Sequence, residues 1–287
     1  MEADRRRTMG RRARSVALGL LAACASVAVA ACVGASPTPE KIVITLPPST
    51  PAATVAASDY SAGTTAPSAS GSQVASTPIV STTSVNQAAN SRWSVSFQMP
   101  VVSGVADQTA QAMNDAITLK VNAYIFSFNG AGLPAVGAGN APSTLKGGYS
   151  VAYVSDALLS LRFIVETDIT GAAHPSIVAG SINFDVATGS VIQLPDLFTS
   201  PASALPVLEA QAHKLLTAEL GADLNWPASP TMADFGGAWA FTKDGLELTW
   251  SQGAIADEAS GPATISIAWP TLSGVILKPG PAAGFLP

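Results

Sequence analysis

Between Val33 and Asn90 almost nothing in this chain can build a core. The stretch is alanine, serine, threonine, proline and glycine, with Glu40, Lys41 and Asp59 as its only charges. Side chains that small and polar cannot bury enough apolar surface to offset the entropy of ordering them. Residues 32–90 therefore read as a disordered linker, with Lys41 to Leu46 (KIVITL) as a stray strand candidate. A flexible coil of this length reaches roughly 40 Å, and its Ser/Thr density beside proline suits O-glycosylation. Folding is thereby confined to the part from Ser91 to about Pro279. Roughly 190 residues suffice for a core that buries about 70% of their surface.

The N-terminus has its own logic. Arg5, Arg6, Arg7, Arg11, Arg12 and Arg14 form a basic region, followed by SVALGLLAACASVAVAAC. This apolar run is short for a membrane span and rich in alanine, as a cleavable export signal is. Val29-Ala30-Ala31-Cys32 resembles the lipobox of bacterial lipoproteins, which places the signal at residues 1–31 and lipidation at Cys32. Leu21-Ala22-Ala23-Cys24 fits the same pattern, so Cys24 is the alternative; cleavage there leaves an apolar region of only about seven residues. The expectation is a lipid-anchored protein of the cell membrane, facing outward, with the linker holding the folded part off the bilayer. With the signal removed no pair of cysteines remains for an intramolecular disulfide, so thiolate metal sites and dithiol redox chemistry are not expected.

From position 32 onward eight lysines and arginines face seventeen carboxylates, a net charge of −9. That balance excludes nucleic acid, whose phosphates require a basic face, and favours a cationic partner.

Within the folded region the periodicities are clear. Ser94 to Val102 alternates as a strand. Ala110, Met113, Ile117, Val121 and Tyr124 recur at helical spacing until the glycine-rich stretch from Gly130 to Gly139. Gly148 to Val154 and Leu158 to Thr167 read as strands, the second burying Leu159, Leu161, Phe163 and Val165. A hairpin follows: Val178 to Val186 leads to a turn at Asp185 to Gly189, and Val191 to Leu194 returns. Ser200-Pro201 or Ser203 opens a second helix with Leu205, Leu208, Ala212, Leu215 and Leu216 on one face. Trp239 to Trp250 is a hairpin turned at Lys243-Asp244-Gly245, and Ala263 to Trp269 is the last strand. This order predicts an α+β fold with mostly antiparallel sheet and two main helices. It divides into a half at 91–170 and a domain at 171–287.

Chemistry is thinly signposted. No G-x-S-x-G elbow occurs, no S-x-x-K tetrad accompanies a candidate base, and there is no H-E-x-x-H, so neither a serine nucleophile nor a zinc site announces itself. No cofactor is expected. The folded region holds two histidines. His213 sits on the polar flank of the second helix and reads as solvated. His174 lies in the turn Gly171-Ala172-Ala173-His174-Pro175, where Glu166 or Asp168 could orient it; it is the candidate catalytic base, against a simpler role in the turn. Asp257-Glu258, in the loop GAIADEASGP, are adjacent carboxylates that point to partner contact rather than to an acid–base pair.

Two blocks carry a family resemblance. The first comprises Gly171, Ala173, His174, then Asn183-Phe184-Asp185, Thr188-Gly189, and Leu194, Asp196-Leu197-Phe198. The second is Phe241-Thr242-Lys243-Asp244-Gly245-Leu246 with Gly253-Ala254-Ile255-Ala256 and Ala259-Ser260-Gly261-Pro262. Together they resemble the extracellular domain of unknown function found at the C-terminus of the lysozyme-sensing anti-sigma factor of Gram-positive bacteria. The same domain occurs in peptidoglycan deacetylases and in secreted immunogenic proteins of actinobacteria. The stretch from Ser91 to Thr170 resembles the partner domain that precedes it. The resemblance implies a β-grasp-like fold, an outer-surface role and no agreed catalytic residues; in the sensor the domain binds lysozyme, a cationic protein. Asp257-Glu258 replace the Pro-Tyr of the family pattern, which alters any inherited contact surface. Without a sigma-binding segment or a deacetylase domain, neither signal relay nor deacetylation is expected. The resulting expectation is a non-catalytic envelope lipoprotein that binds a cationic protein such as lysozyme, or a wall component. The alternative is a secreted hydrolase, an esterase or wall-sugar enzyme, using His174 as base.

Overall fold

The computed structural model describes residues 76–89, 92–134 and 141–286. The chain divides into two compact units, Met1–Ala66 and Pro67–Pro287, and every described residue lies in the second. The segment read as an export signal, Cys24, Cys32 and the KIVITL segment lie outside the described residues. Among the described residues no helix is long and apolar enough to cross a membrane.

A five-stranded sheet opens the fold. Strands β1 (Ile79–Ala89), β2 (Trp93–Ser103), β3 (Ser143–Val154), β4 (Leu158–Asp168) and β5 (Ser176–Asp185) lie side by side in chain order. All neighbours run antiparallel except β2 and β3, which pair in parallel from Trp93↔Ser143 to Phe97↔Gly147. A parallel pair needs a crossover, and helix α1 (Asp107–Gly130) supplies it. Met113, Ile117, Val121, Ile125 and Phe128 are buried on its inner face. They meet Phe97, Leu145, Leu161, Phe163 and Phe184, all fully buried, in one core. Each such side chain contributes about 1.5–3 kcal/mol over leaving it in water.

The second part builds its own core. Helix α2 (Pro201–Leu220) starts where Ser200 Oγ accepts the Ser203 N–H at 3.1 Å, so Ser200 is the cap. Ala204, Leu208, Ala212 and Leu216 form its buried stripe. The stripe packs with the three-stranded antiparallel sheet of β6 (Trp239–Phe241), β7 (Gly245–Trp250) and β8 (Ala263–Ala268). Two short helices, α3 (Met232–Gly236) and α4 (Trp269–Leu272), complete the set. The architecture is α+β and mostly antiparallel with two main helices, grasp-like in that a long helix lies across a mixed sheet.

The sheets are joined by a polar seam. Ser160 Oγ donates to Asn183 Oδ1 and accepts the Phe241 N–H at 3.1 Å. Asn183 Nδ2 donates to the Trp239 carbonyl at 3.0 Å, and Ser181 Oγ accepts the Trp239 N–H at 2.8 Å. Side chains of β4 and β5 thus satisfy backbone groups of β6 that no strand reaches.

Four features depart from expectation. β1 lies within the run assigned to coil, paired along its whole length with β2. Its side chains stay largely in water, so composition could not reveal a strand held by backbone hydrogen bonds. The return strand at Val191 to Leu194 reduces to one bridge, Phe184↔Val191. There Pro195 cannot donate to a ladder, and the reciprocal Gln193–Asp196 cap winds a 3₁₀ turn over Leu194–Leu197. Trp269 starts α4 instead of ending β8. The division at residue 170 falls between β4 and β5, which are neighbours in one sheet.

Candidate functional site: an acidic hollow beside His174

Gly171, at φ 89°, lets the chain turn tightly between β4 and β5, and His174 projects from that turn into solvent. Its Nδ1 lies 3.0 Å from the Pro175 carbonyl oxygen, and its Nε2 lies 2.7 Å from Glu258 Oε2. Both ring nitrogens face acceptors, an arrangement that only the doubly protonated ring satisfies. Accordingly the Pro175 carbonyl, and then the Glu258 charge, hold the His174 pKa above the ordinary imidazole value. The pair is open to water on both sides, with side-chain exposures of 51% and 64%.

Glu258 is brought there by a loop tied to the free edge of β5. Gln252 N–H donates to the Ile177 carbonyl at 3.0 Å, and Gln252 Oε1 accepts the Ile177 N–H at 2.9 Å. Ser251 Oγ accepts the Ala179 N–H at 3.1 Å, and Gln252 Nε2 reaches the Glu258 carbonyl at 2.9 Å. Buried Ile255 anchors the middle of the loop, where its carbonyl accepts the Asn225 N–H at 2.7 Å. Gly253 turns at φ 74°, and a Cβ there would meet Glu258 Cγ at 3.0 Å.

Between this loop and the segment after α2 lies a hollow of about 240 Å³, lined by Asp223, Asn225, Gly253, Ala256, Asp257 and Glu258. Three carboxylates share its rim. The arrangement can attract ammonium or guanidinium groups, and its lining carries no side-chain hydroxyl or thiol. Among the described residues no cluster of His, Cys, Asp and Glu is placed to hold a metal ion.

The structure brings two of the expected site residues, His174 and Glu258, into contact, with Asp257 beside them on the same loop. It separates others. Glu166 pairs with Lys146 at 3.3 Å and does not orient His174, and Asp168 opposes Thr144 in the ladder. His213 is exposed and turns its ring edge to Trp226 at 5.6 Å. Asp185 binds its own turn, accepting from the Thr188 N–H and hydroxyl at 2.9 and 3.0 Å. Asp223, Asn225 and Gln252 were not foreseen. Asp223 and Asn225 sit on a loop without periodicity, and Gln252 acts through a long-range contact that no local pattern announces.

The class these elements define is a two-core α+β domain whose second sheet docks on the first through hydrogen-bonding side chains. Solved structures with this fold are DUF3298 family proteins, a family of domains of unknown function. One, from Pseudomonas aeruginosa, matches at a TM-score of 0.53 and 15% identity over 73% of this chain and 96% of its own. Another, from Bacteroides fragilis, matches at 0.52 and 14% identity over 70% of this chain and 94% of its own. At such identities the likeness is one of fold. No model of a known family matches the sequence, and no curated protein does.

Proposed function

We propose that this chain is an envelope lipoprotein, acylated at Cys32 or, alternatively, Cys24. Its folded domain binds a cationic protein such as a lysozyme-type wall hydrolase, or a cationic wall component, without catalysis. The observation that carries this reading is the hollow rimmed by Asp223, Asp257 and Glu258. It gives the acidic domain a concave place for basic side chains, and the resemblance of the two sequence blocks to a lysozyme-binding domain points the same way. Complementary charge accelerates encounter and makes binding salt-sensitive.

The test is to immobilise residues 76–287 and apply a lysozyme-type hydrolase at rising ionic strength. Retention at low salt should fall with salt and in Asp223→Asn/Asp257→Asn; absence of retention at low salt overturns the reading. Palmitate labelling lost in Cys32→Ala and kept in Cys24→Ala supports the anchor at Cys32, and the reverse pattern moves it to Cys24.

A second reading, a secreted esterase or wall-sugar hydrolase, is favoured by one contact: Glu258 orients His174 as a carboxylate orients a catalytic imidazole. Against it, both ring nitrogens are already engaged, Nδ1 by the Pro175 carbonyl and Nε2 by Glu258, which leaves neither free to take a substrate proton. Ester turnover that vanishes in His174→Ala, with folding intact, would establish this alternative.

A further inference from the structure

Farther along the free edge of β5, where Val191 and Ile192 meet Phe184 and Asn183, α1, the segment before the 3₁₀ turn and β6 surround a cavity of about 350 Å³. This lies at the small end of the about 300–1,000 Å³ that ligand pockets span. Its wall is mostly apolar, with Leu119, Ile182, Val191, Ile192 and Trp239 contributing. Leu119 is 73% exposed and Val191 37%, so apolar surface continues from the interior to the mouth.

The lining holds one charge, Lys120, and no carboxylate. That is notable in a domain whose surface is predominantly acidic. Among the described lysines and arginines, Lys146, Arg162 and Lys243 have a carboxylate partner, and Arg92, Lys214 and Lys278, which line no part of this cavity, do not. Lys120 has none among the described residues; its ammonium lies 5.7 Å from the centre of the Tyr124 ring. Burial lowers its pKa, the direction expected of a cation drawn from water without a counter-charge. The other polar groups are spoken for or available in a telling way. Asn183 spends its amide on the seam. Trp239 donates its backbone N–H to Ser181 and accepts at its carbonyl from Asn183, leaving its indole N–H with no protein acceptor among the described residues.

We infer that this cavity binds a small monocarboxylate with an apolar body, its carboxylate on the Lys120 ammonium and its tail along Leu119, Val191 and Ile192. A single lysine offers a point charge suited to a monoanion, and the lack of acidic residues in the lining removes the repulsion present elsewhere. The site is independent of the acidic hollow and of the function proposed for it.

The probe is hexanoate, with 1-hexanol as the neutral analogue, titrated calorimetrically into the full chain in a sugar-based detergent. Saturable one-site binding is expected for hexanoate, weakened about tenfold or more in Lys120→Met and for hexanol. Ala123→Trp, at an exposed helix position lining the cavity, should block binding while keeping the charge, and it decides the matter if Lys120→Met does not fold. No saturable binding overturns the inference. So does equal affinity for hexanol, or binding unchanged in Ala123→Trp.

Discussion

At the scale of single residues, His174 makes a sharp electrostatic statement. With the Pro175 carbonyl on one nitrogen and Glu258 on the other, the folded state favours imidazolium. A histidine whose pKa rises on folding adds stability below its unfolded pKa, and that contribution disappears as pH rises through the folded value. Titration of the His174 ring followed by NMR should therefore give a midpoint above the ordinary value, falling back in Glu258→Gln. Because the pair is exposed, the consequence is local: the 251–258 loop should loosen on alkaline titration while global unfolding barely changes. Gly147 illustrates a different constraint. A Cβ there would lie 2.1 Å from the Phe97 ring, which is fully buried beneath α1. Gly147→Ala should cost about 1–3 kcal/mol by overpacking, read as a lower denaturant midpoint with unchanged slope.

At the scale of elements, the seam and the first strand each carry an expectation. Asn183 is 1% exposed and serves both Ser160 and the Trp239 carbonyl. Asn183→Ala leaves the buried Ser160 hydroxyl without its acceptor and the Trp239 carbonyl without its donor, and should cost about 1–3 kcal/mol, measured by chemical denaturation. Removing residues before Ser91 deletes β1 and exposes the edge of β2; that truncated domain should unfold earlier and self-associate, visible by size-exclusion chromatography. The same elements show what could be read from sequence. α1, β4, α2 and β8 were legible because their buried residues repeat at the period of the element: Met113, Ile117 and Val121 along α1, Ile265 and Ile267 along β8. β1 was not, since Ser81 to Gln87 bury little and owe their place to β2. The His174–Glu258 contact was half legible. Each residue stood out alone, but their meeting depends on Gln252 fastening one loop to the edge of a distant strand.

At the scale of the whole domain, two cores share a boundary at β4. Leu159, Leu161 and Phe163 serve the first, while Leu158 turns into the second. Across the same boundary Arg162 Nη2 donates to Glu247 Oε2 at 2.7 Å, linking β4 to β7. Two cores coupled by hydrogen bonds and this ion pair should melt as one cooperative unit. Loss of the pair in Arg162→Met leaves Glu247 facing the seam without its counter-charge. The prediction is a separation of the calorimetric transition into two, with the second sheet melting first; a single sharp transition would show that the hydrogen-bonded seam and apolar contact couple them without the ion pair.

The hairpin of β1 and β2 also fixes how the domain meets mechanical load. Ile79 stands opposite Ser103 at the open end, farthest from the turn that joins the two strands. A pull on the chain preceding residue 76 therefore arrives at the last rung of the ladder. Drawn away from the sheet, β1 peels one rung at a time from Ile79 toward Ala89; drawn along its own axis, it must break many rungs together and resists far more. The direction of tension, as much as its size, decides whether the first strand stays in place.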